Sequence, residues 1–317
     1  MPAHATSETH FQGYPAIALS APEAGVEAVF APQIGMIGCS LTHDGDKLLH
    51  HRGGLARYEA TGSTMGVPLL HPWANRLGGL SYSAAGRAVE LDPDMDRLRT
   101  DPNDLPIHGV LNASPYWELL GVDAGEESAR LAAQLDFGAH PEYLEAFPFP
   151  HGIRIDATLR QGTLAVRTTV AASDESAVPL SFGYHPYLAL PDVPRAHWQV
   201  DIPLTERLVL DERMIPTGAT ETVDPFSGPL GGRTFDDGFA GAEDGTTFAL
   251  SGGGRRIEVE LTEGYRFAQV YAPESEDTIC FEPMTAPTDA LRSGRGLDLV
   301  PPGETRSAAF AISVARA

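Results

Sequence analysis

The sequence predicts an all-β protein, a large antiparallel β-sandwich with few short helices, and three observations predict it. Short segments in which apolar and polar residues alternate recur along the chain, the period-two signature of strands with one buried face. Turn clusters such as His43-Asp44-Gly45, Arg160-Gln161-Gly162 and Ser251-Gly252-Gly253-Gly254 punctuate them. Helical periodicity is scarce, and the 33 Gly and 26 Pro are spread along the chain rather than clustered, which favours many turns over disorder.

The first strands fall at residues 16–19 and 26–30. Residues 141–150, PEYLEAFPFP, are the best candidate for a short helix, placed before a turn. The clearest unit is the hairpin RIDATLRQGTLAVRTTV, with strands at 152–159 and 163–171; Leu164, Val166 and Val170 alternate there with Ala165, Arg167 and Thr169. Strands at 257–261 and 267–271 follow, the first alternating Ile257, Val259 and Leu261 with two glutamates. Ile279, Cys280 and Phe281 form a further strand that should end at Glu282, because Pro283 lacks a backbone donor and holds the preceding residue extended. No linker rich in Pro, Ser or Gly, no repeat and no low-complexity block divides the chain, so residues 1–317 are expected to form a single domain.

Composition narrows the function. A formal charge of −21 argues against nucleic acid, whose phosphates reward dense Lys and Arg, and is compatible with neutral or weakly charged small molecules. Lys47 is the only lysine and sits in the polar turn THDGDKLLH, so lysine Schiff-base and P-loop chemistry are set aside. Cys39 and Cys280 lie in apolar runs, read as small buried hydrophobes, and their spacing excludes a zinc site of cysteines. No apolar stretch reaches the length of a membrane span, and the first residues lack a signal-peptide pattern. A cytoplasmic protein without a membrane partner is the expectation, as a monomer or homodimer.

Five motifs could carry chemistry. Glu282 is a carboxylate on a buried strand with no Lys or Arg in the sequence between Arg266 and Arg292 to neutralise it; an unpaired buried carboxylate is costly, so it is either a paired structural group or a base whose proton affinity the fold sets. His185, in SFGYHPYL, sits in an apolar aromatic run pinned by Pro186; a buried neutral histidine and a general acid or base are both open. His108, in LPIHG, reads as a loop histidine or an accessible imidazole beside bare backbone. In GVPLLHPWANRLGG, Asn75 and Arg76 precede a Gly–Gly turn; Arg76 offers a fork of donors for sugar hydroxyls or a carboxylate, or else a structural bridge to an aspartate. Asp236 and Asp237, in TFDDGF, read as turn formers or as acceptors for a ligand's hydroxyls.

Together HPWANRLGG, the IHG of 107–109, GYHPYLAL, the FDDGF of 235–239 and CFEPMTAPTDAL resemble the aldose 1-epimerase (galactose mutarotase) family, in that family's order and over most of the chain. The resemblance implies a galactose mutarotase-like supersandwich with a sugar cleft on one face, a small-molecule sugar substrate, and no cofactor or metal. It implies Glu282 as general base, His185 as general acid and His108 as a second histidine assisting at the ring oxygen. Arg76, Asn75 and Asp236 match hydroxyl-binding positions; Asp236 is chosen over Asp237 because an aromatic, here Phe239, follows three residues later. GYHPYLAL carries Pro186 and the loop after Glu282 reads PMTAPTDAL, departures that bear on which sugar is bound.

The implied reaction interconverts α and β anomers, with acid and base expected on opposite sides of the sugar ring. Alternatives are a hexose-6-phosphate or acidic-sugar 1-epimerase, with Arg76 and residues 97–99 as candidate anion partners, and a non-catalytic carbohydrate-binding module. A glycoside hydrolase needs two carboxylates flanking the bond, roughly 5–10 Å apart, and Glu282 has no twin in a comparable motif.

Overall fold

The computed structural model describes residues 4–316. Two large sheets dominate it. One has nine strands, in the spatial order Phe226–Pro229, Gln199–Ile202, Thr246–Gly252, Arg255–Glu263, Thr305–Arg316, Thr163–Ala172, His151–Arg160, Ala129–Asp136 and Glu118–Ala124. The other has eight. Its path runs Pro216–Thr222, Glu206–Leu210, Phe235–Ala240, Phe267–Ala272, Ile279–Met284, Gly183–Tyr184 and Leu69–Leu70, with Tyr187–Leu188 also pairing with Ile279–Met284. The first five strands, from Ala5–Phe11 to Asp46–Lys47, make a third sheet in sequence order. Pairing within these sheets is antiparallel.

The alternating pattern explains the sandwich. In His151–Arg160 and Thr163–Ala172 every second residue is buried, and Arg160 pairs with Thr163 across the two-residue turn Gln161-Gly162, as the sequence predicts. The buried faces of the two large sheets meet. Phe281 stacks on Phe248 with centroids 5.2 Å apart, Tyr184 packs on Phe310 at 5.0 Å, and the Tyr184 hydroxyl lies 2.7 Å from Thr168 Oγ1. Thr168 interrupts its strand's apolar face to satisfy that buried phenol.

Two local expectations change. The strand bearing Glu282 does not end there but runs Ile279–Met284, through Pro283. The Pro283 carbonyl points at Gly183, where a Cβ would come within 2.5 Å of it. The missing N–H therefore faces the short segment Gly183–Tyr184, and the ladder to Phe267–Ala272 stays intact. The helical segment expected at 141–150 is shorter, Pro141–Ala146, and a second helix forms at Gly54–Thr61. The latter buries only Leu55 and Tyr58, one turn apart, and stops at Gly62 in the left-handed region, too little periodicity to stand out in sequence.

Candidate active site

Register builds the floor of the site. Gly238 faces Gln269 and Gln269 faces Glu282, while Asp236 faces Tyr271 and Tyr271 faces Cys280. On the other flank Gly183 faces Met284 and Tyr187 faces Cys280, so His185, two residues in from each pair, falls opposite Glu282. Two rows thus cross the sheet, His185–Glu282–Gln269–Gly238 and Tyr187–Cys280–Tyr271–Asp236. Both rise from the face opposite Phe281, away from the sandwich core.

His185 and Glu282 touch: Nε2 lies 3.2 Å from Oε1, with both side chains almost wholly buried. Burial raises the Glu282 pKa well above the ordinary carboxyl value, the Asp236 charge adds to the rise, and Arg76 opposes it. Burial also lowers His185, to about 3, and the Arg52 and Arg99 charges act in the same direction. Burial thus pushes the pair toward its neutral form, a protonated carboxyl facing an unprotonated imidazole. Tyr187 stacks on the His185 ring at 4.3 Å and 6°. Its hydroxyl lies 3.4 Å from His185 Nε2 and 2.7 Å from Thr64 Oγ1, and accepts a 3.2 Å hydrogen bond from Arg52, which is itself paired with Glu276.

Loops supply the walls. His108 packs edge-on against His185, with centroids 5.4 Å apart. Burial lowers its pKa well below the ordinary histidine value, reinforced by His185 and the surrounding arginines. Its backbone is left-handed (φ 65°), and its N–H donates to the Asn75 carbonyl at 2.9 Å. Gly109 beside it is required by close approach: with φ 68°, a Cβ would lie 2.1 Å from the His71 carbonyl oxygen. Arg76 makes the structural bridge considered from sequence, Nε to Asp101 Oδ2 at 2.7 Å, and also donates to Asn75 Oδ1 at 3.0 Å. A third nitrogen reaches toward Asp236 at 3.6 Å.

The adjacent aspartates separate by face. Asp236 shares the face of Glu282 and accepts from Gln269 Nε2 at 2.6 Å. Asp237 belongs to the opposite face and pairs with Arg207 at 3.4 Å.

All six residues singled out in sequence, Asn75, Arg76, His108, His185, Asp236 and Glu282, line one cavity of about 300 Å³. The acid and base were expected on opposite sides of a ring; the two residues expected in those roles, His185 and Glu282, are neighbours on one wall. The buried atoms Glu282 Oε2, His185 Nδ1 and His108 Nδ1 have no hydrogen-bond partner among the described residues, as suits a site for a hydroxyl-rich ligand. Arg99, considered from sequence as an anion partner, also lines the cavity, as do Arg52, Asp101, Tyr187 and Tyr271, which were not foreseen. Gln269 and Tyr271 carry a signal in retrospect: the alternation of FAQVYA, folded back on ICFEP, puts both on the face of Glu282. Arg52 and Arg99 sit in irregular segments where no periodicity points at a site. Among the described residues no group of three or more His, Cys, Asp or Glu is arranged to hold a metal ion, and no helix is long and apolar enough to cross a membrane.

Comparison with solved structures finds the same fold across nearly whole chains. A galactose mutarotase-like protein from Clostridium acetobutylicum is 17% identical with a TM-score of 0.85, over 99% of this chain and 99% of that one. Galactose 1-epimerase from Lactobacillus acidophilus is 14% identical with a TM-score of 0.78, over 100% of this chain and 99% of that one. A protein from Synechocystis sp. PCC 6803 is 23% identical with a TM-score of 0.78, over 98% of this chain and 100% of that one. At such identities the likeness is one of fold. No curated protein matches the sequence. The sequence family of aldose 1-epimerases matches residues 25–313, and this chain belongs to the aldose 1-epimerase family.

Proposed function

We propose that the protein is an aldose 1-epimerase that interconverts the α and β anomers of an aldose by acid–base ring opening and closure. The observation that carries this reading is the 3.2 Å contact between His185 Nε2 and Glu282 Oε1 on the wall of the cavity. The anomeric and ring oxygens of a sugar are bonded to the same carbon, so two adjacent side chains can serve both.

The resting pair holds one transferable proton, on the carboxyl. Moving it to His185 leaves the proton count unchanged and gives a carboxylate beside an imidazolium. A sugar hydroxyl that donates to the carboxylate favours this ionic arrangement. Glu282 then takes the proton of the anomeric hydroxyl while His185 Nε2 gives its proton to the ring oxygen. The bond from C1 to the ring oxygen breaks as the C1 carbonyl forms. Rotation about C1–C2 and reclosure, with the two groups in exchanged roles, yields the other anomer. His108 lies beside His185 to assist at the ring oxygen, and Asn75, Arg76 and Asp236 bind hydroxyls.

A second reading concerns the sugar's remote end. Arg99 lines the cavity, donates to the Gly62 carbonyl at 2.7 Å, and has no carboxylate partner among the described residues. A guanidinium in that state suits a phosphate, sulfonate or carboxylate substituent, which favours a hexose-6-phosphate or other acidic aldose. The test is an NMR anomer-exchange assay across free hexoses, pentoses, sugar phosphates and sulfosugars. Accelerated exchange of one class supports the reading and names the substrate. Sugar binding without exchange would make the protein a binding module, and cleavage of glycosides would return the hydrolase class.

A further inference from the structure

The loop that follows the Glu282 strand, PTDAL, has no place in the chemistry above, yet it closes on the arginine turn from across the fold. Asp289 stands in the left-handed region (φ 65°), a conformation Asp tolerates better than most residues. Its N–H donates to the Arg76 carbonyl at 2.9 Å, and its Oδ1 accepts from the Gly78 N–H at 2.7 Å. One residue thus grips the backbone on both sides of Leu77. Its other oxygen faces Arg292, 3.5 Å away, and Arg292 is fixed in turn by donating to the Ser81 carbonyl at 2.9 Å. Gly78 permits this approach: a Cβ there would lie 2.5 Å from the Arg292 guanidinium and 3.3 Å from the Asp289 carboxylate. The turn is also held by the loop that carries His108, through Leu77 N–H to the Pro106 carbonyl and the bridge between Arg76 and Ile107, and by Arg213, which donates to the Gly78 carbonyl at 3.4 Å.

We propose that Asp289 is a positioning residue for Arg76, a latch by which the chain leaving the Glu282 strand sets where the arginine meets substrate. The latch acts through an acceptor at a fixed place and not through charge. It explains how a side chain divided among Asp101, Asn75 and Asp236 keeps one orientation toward the cavity. The kinetic part rests on the proposed epimerase reading, because it is read as a change in that activity.

The experiment compares Asp289→Ala, Asp289→Asn and Asp289→Glu with the unmodified chain. Two readouts are taken: KM and kcat for anomer exchange, and hydrogen exchange at the Gly78 amide. Alanine should raise KM on the order of tenfold with kcat within about threefold, and should speed Gly78 exchange. Asparagine keeps an acceptor oxygen and tolerates the left-handed backbone, so it should restore both values. Glutamate keeps the charge but displaces the acceptor by a methylene, so it should behave like alanine; if the alanine variant does not fold, the asparagine–glutamate contrast decides. An asparagine variant as impaired as alanine, a glutamate variant equal to the unmodified chain, or an unchanged KM in alanine would overturn the latch. If the unmodified protein exchanges no anomers, the epimerase reading fails, and Gly78 exchange in the three variants alone decides the latch.

Discussion

His185 faces Glu282 across neighbouring antiparallel segments, in the register fixed by Gly183 opposite Met284 and Tyr187 opposite Cys280. Directly opposed side chains in such a pair meet without long reach, so the separation of the two groups is a property of strand pairing. Substitutions that keep their shape should therefore report on proton transfer alone. Glu282→Gln and His185→Asn are each expected to lower kcat for anomer exchange by about 10²–10⁴, measured by polarimetry or NMR, with the thermal unfolding transition retained. A near-unmodified rate in either variant would remove that residue from the chemistry.

The pH profile follows from the pair's shared proton. Activity needs one proton on the pair, in either arrangement. A second is gained only as pH falls toward the His185 value of about 3. The single proton is lost as pH rises past the raised Glu282 value. We expect kcat/KM to stay level from pH 7 to pH 5, through the region where an ordinary histidine titrates (about 6.5), and to decline on the alkaline side. An acid limb centred near the ordinary histidine value would contradict the coupled pair.

Arg99 separates the two substrate readings. If the remote end of the sugar is anionic, Arg99→Met should cut kcat/KM for that sugar by about 10–100-fold, the worth of a lost charge-assisted hydrogen bond. For a neutral aldose it should change kcat/KM by less than about threefold. Equal effects on both sugars would remove Arg99 from substrate recognition.

A second histidine pair predicts acid lability. His71 and His151 meet Nε2 to Nε2 at 2.8 Å, buried among Phe137, Phe147 and Phe182. Burial lowers both pKa values, His151 to about 4. A group lowered on folding binds fewer protons than the unfolded chain between the two values. Stability is then whole above about 6.5 and is lost as pH falls toward 4, by up to about 1.4 kcal/mol per pH unit for each group. Urea midpoints between pH 7 and pH 4.5 should show this slope, and replacing both residues with Leu should reduce it by their share, leaving the part that the buried His108 and His185 contribute. An unchanged slope in the double variant would assign the lability elsewhere.

How much was legible follows from where each signal is written. The hairpin 151–172 was readable because one face of each strand enters the core and a two-residue turn joins them. The helix Gly54–Thr61 was not, having two buried residues to announce it. Glu282 drew notice as a carboxylate among strand formers, but the strand's passage through Pro283 depends on which neighbour the missing N–H would have faced, a tertiary fact. Asp236 could be told from Asp237 once pairing fixed the faces. Arg52 and Arg99 reach the cavity from irregular segments, whose folding leaves no period in the sequence.

The two rows on the sheet have a consequence for how this site can change over time. His185, Glu282, Gln269 and Asp236 are anchored by a lattice whose reverse side is the core, and a shift in any one would unseat Phe281 and its partner Phe248. Asn75, Arg76, Arg99 and Asp101 hang from loops that the lattice does not dictate. On the proposed epimerase reading, insertions and deletions in those loops would change which sugar is held and leave the wall that carries His185 and Glu282 in place. The reaction so proposed would then be held by what is hard to mutate, and the choice of substrate by what is easy.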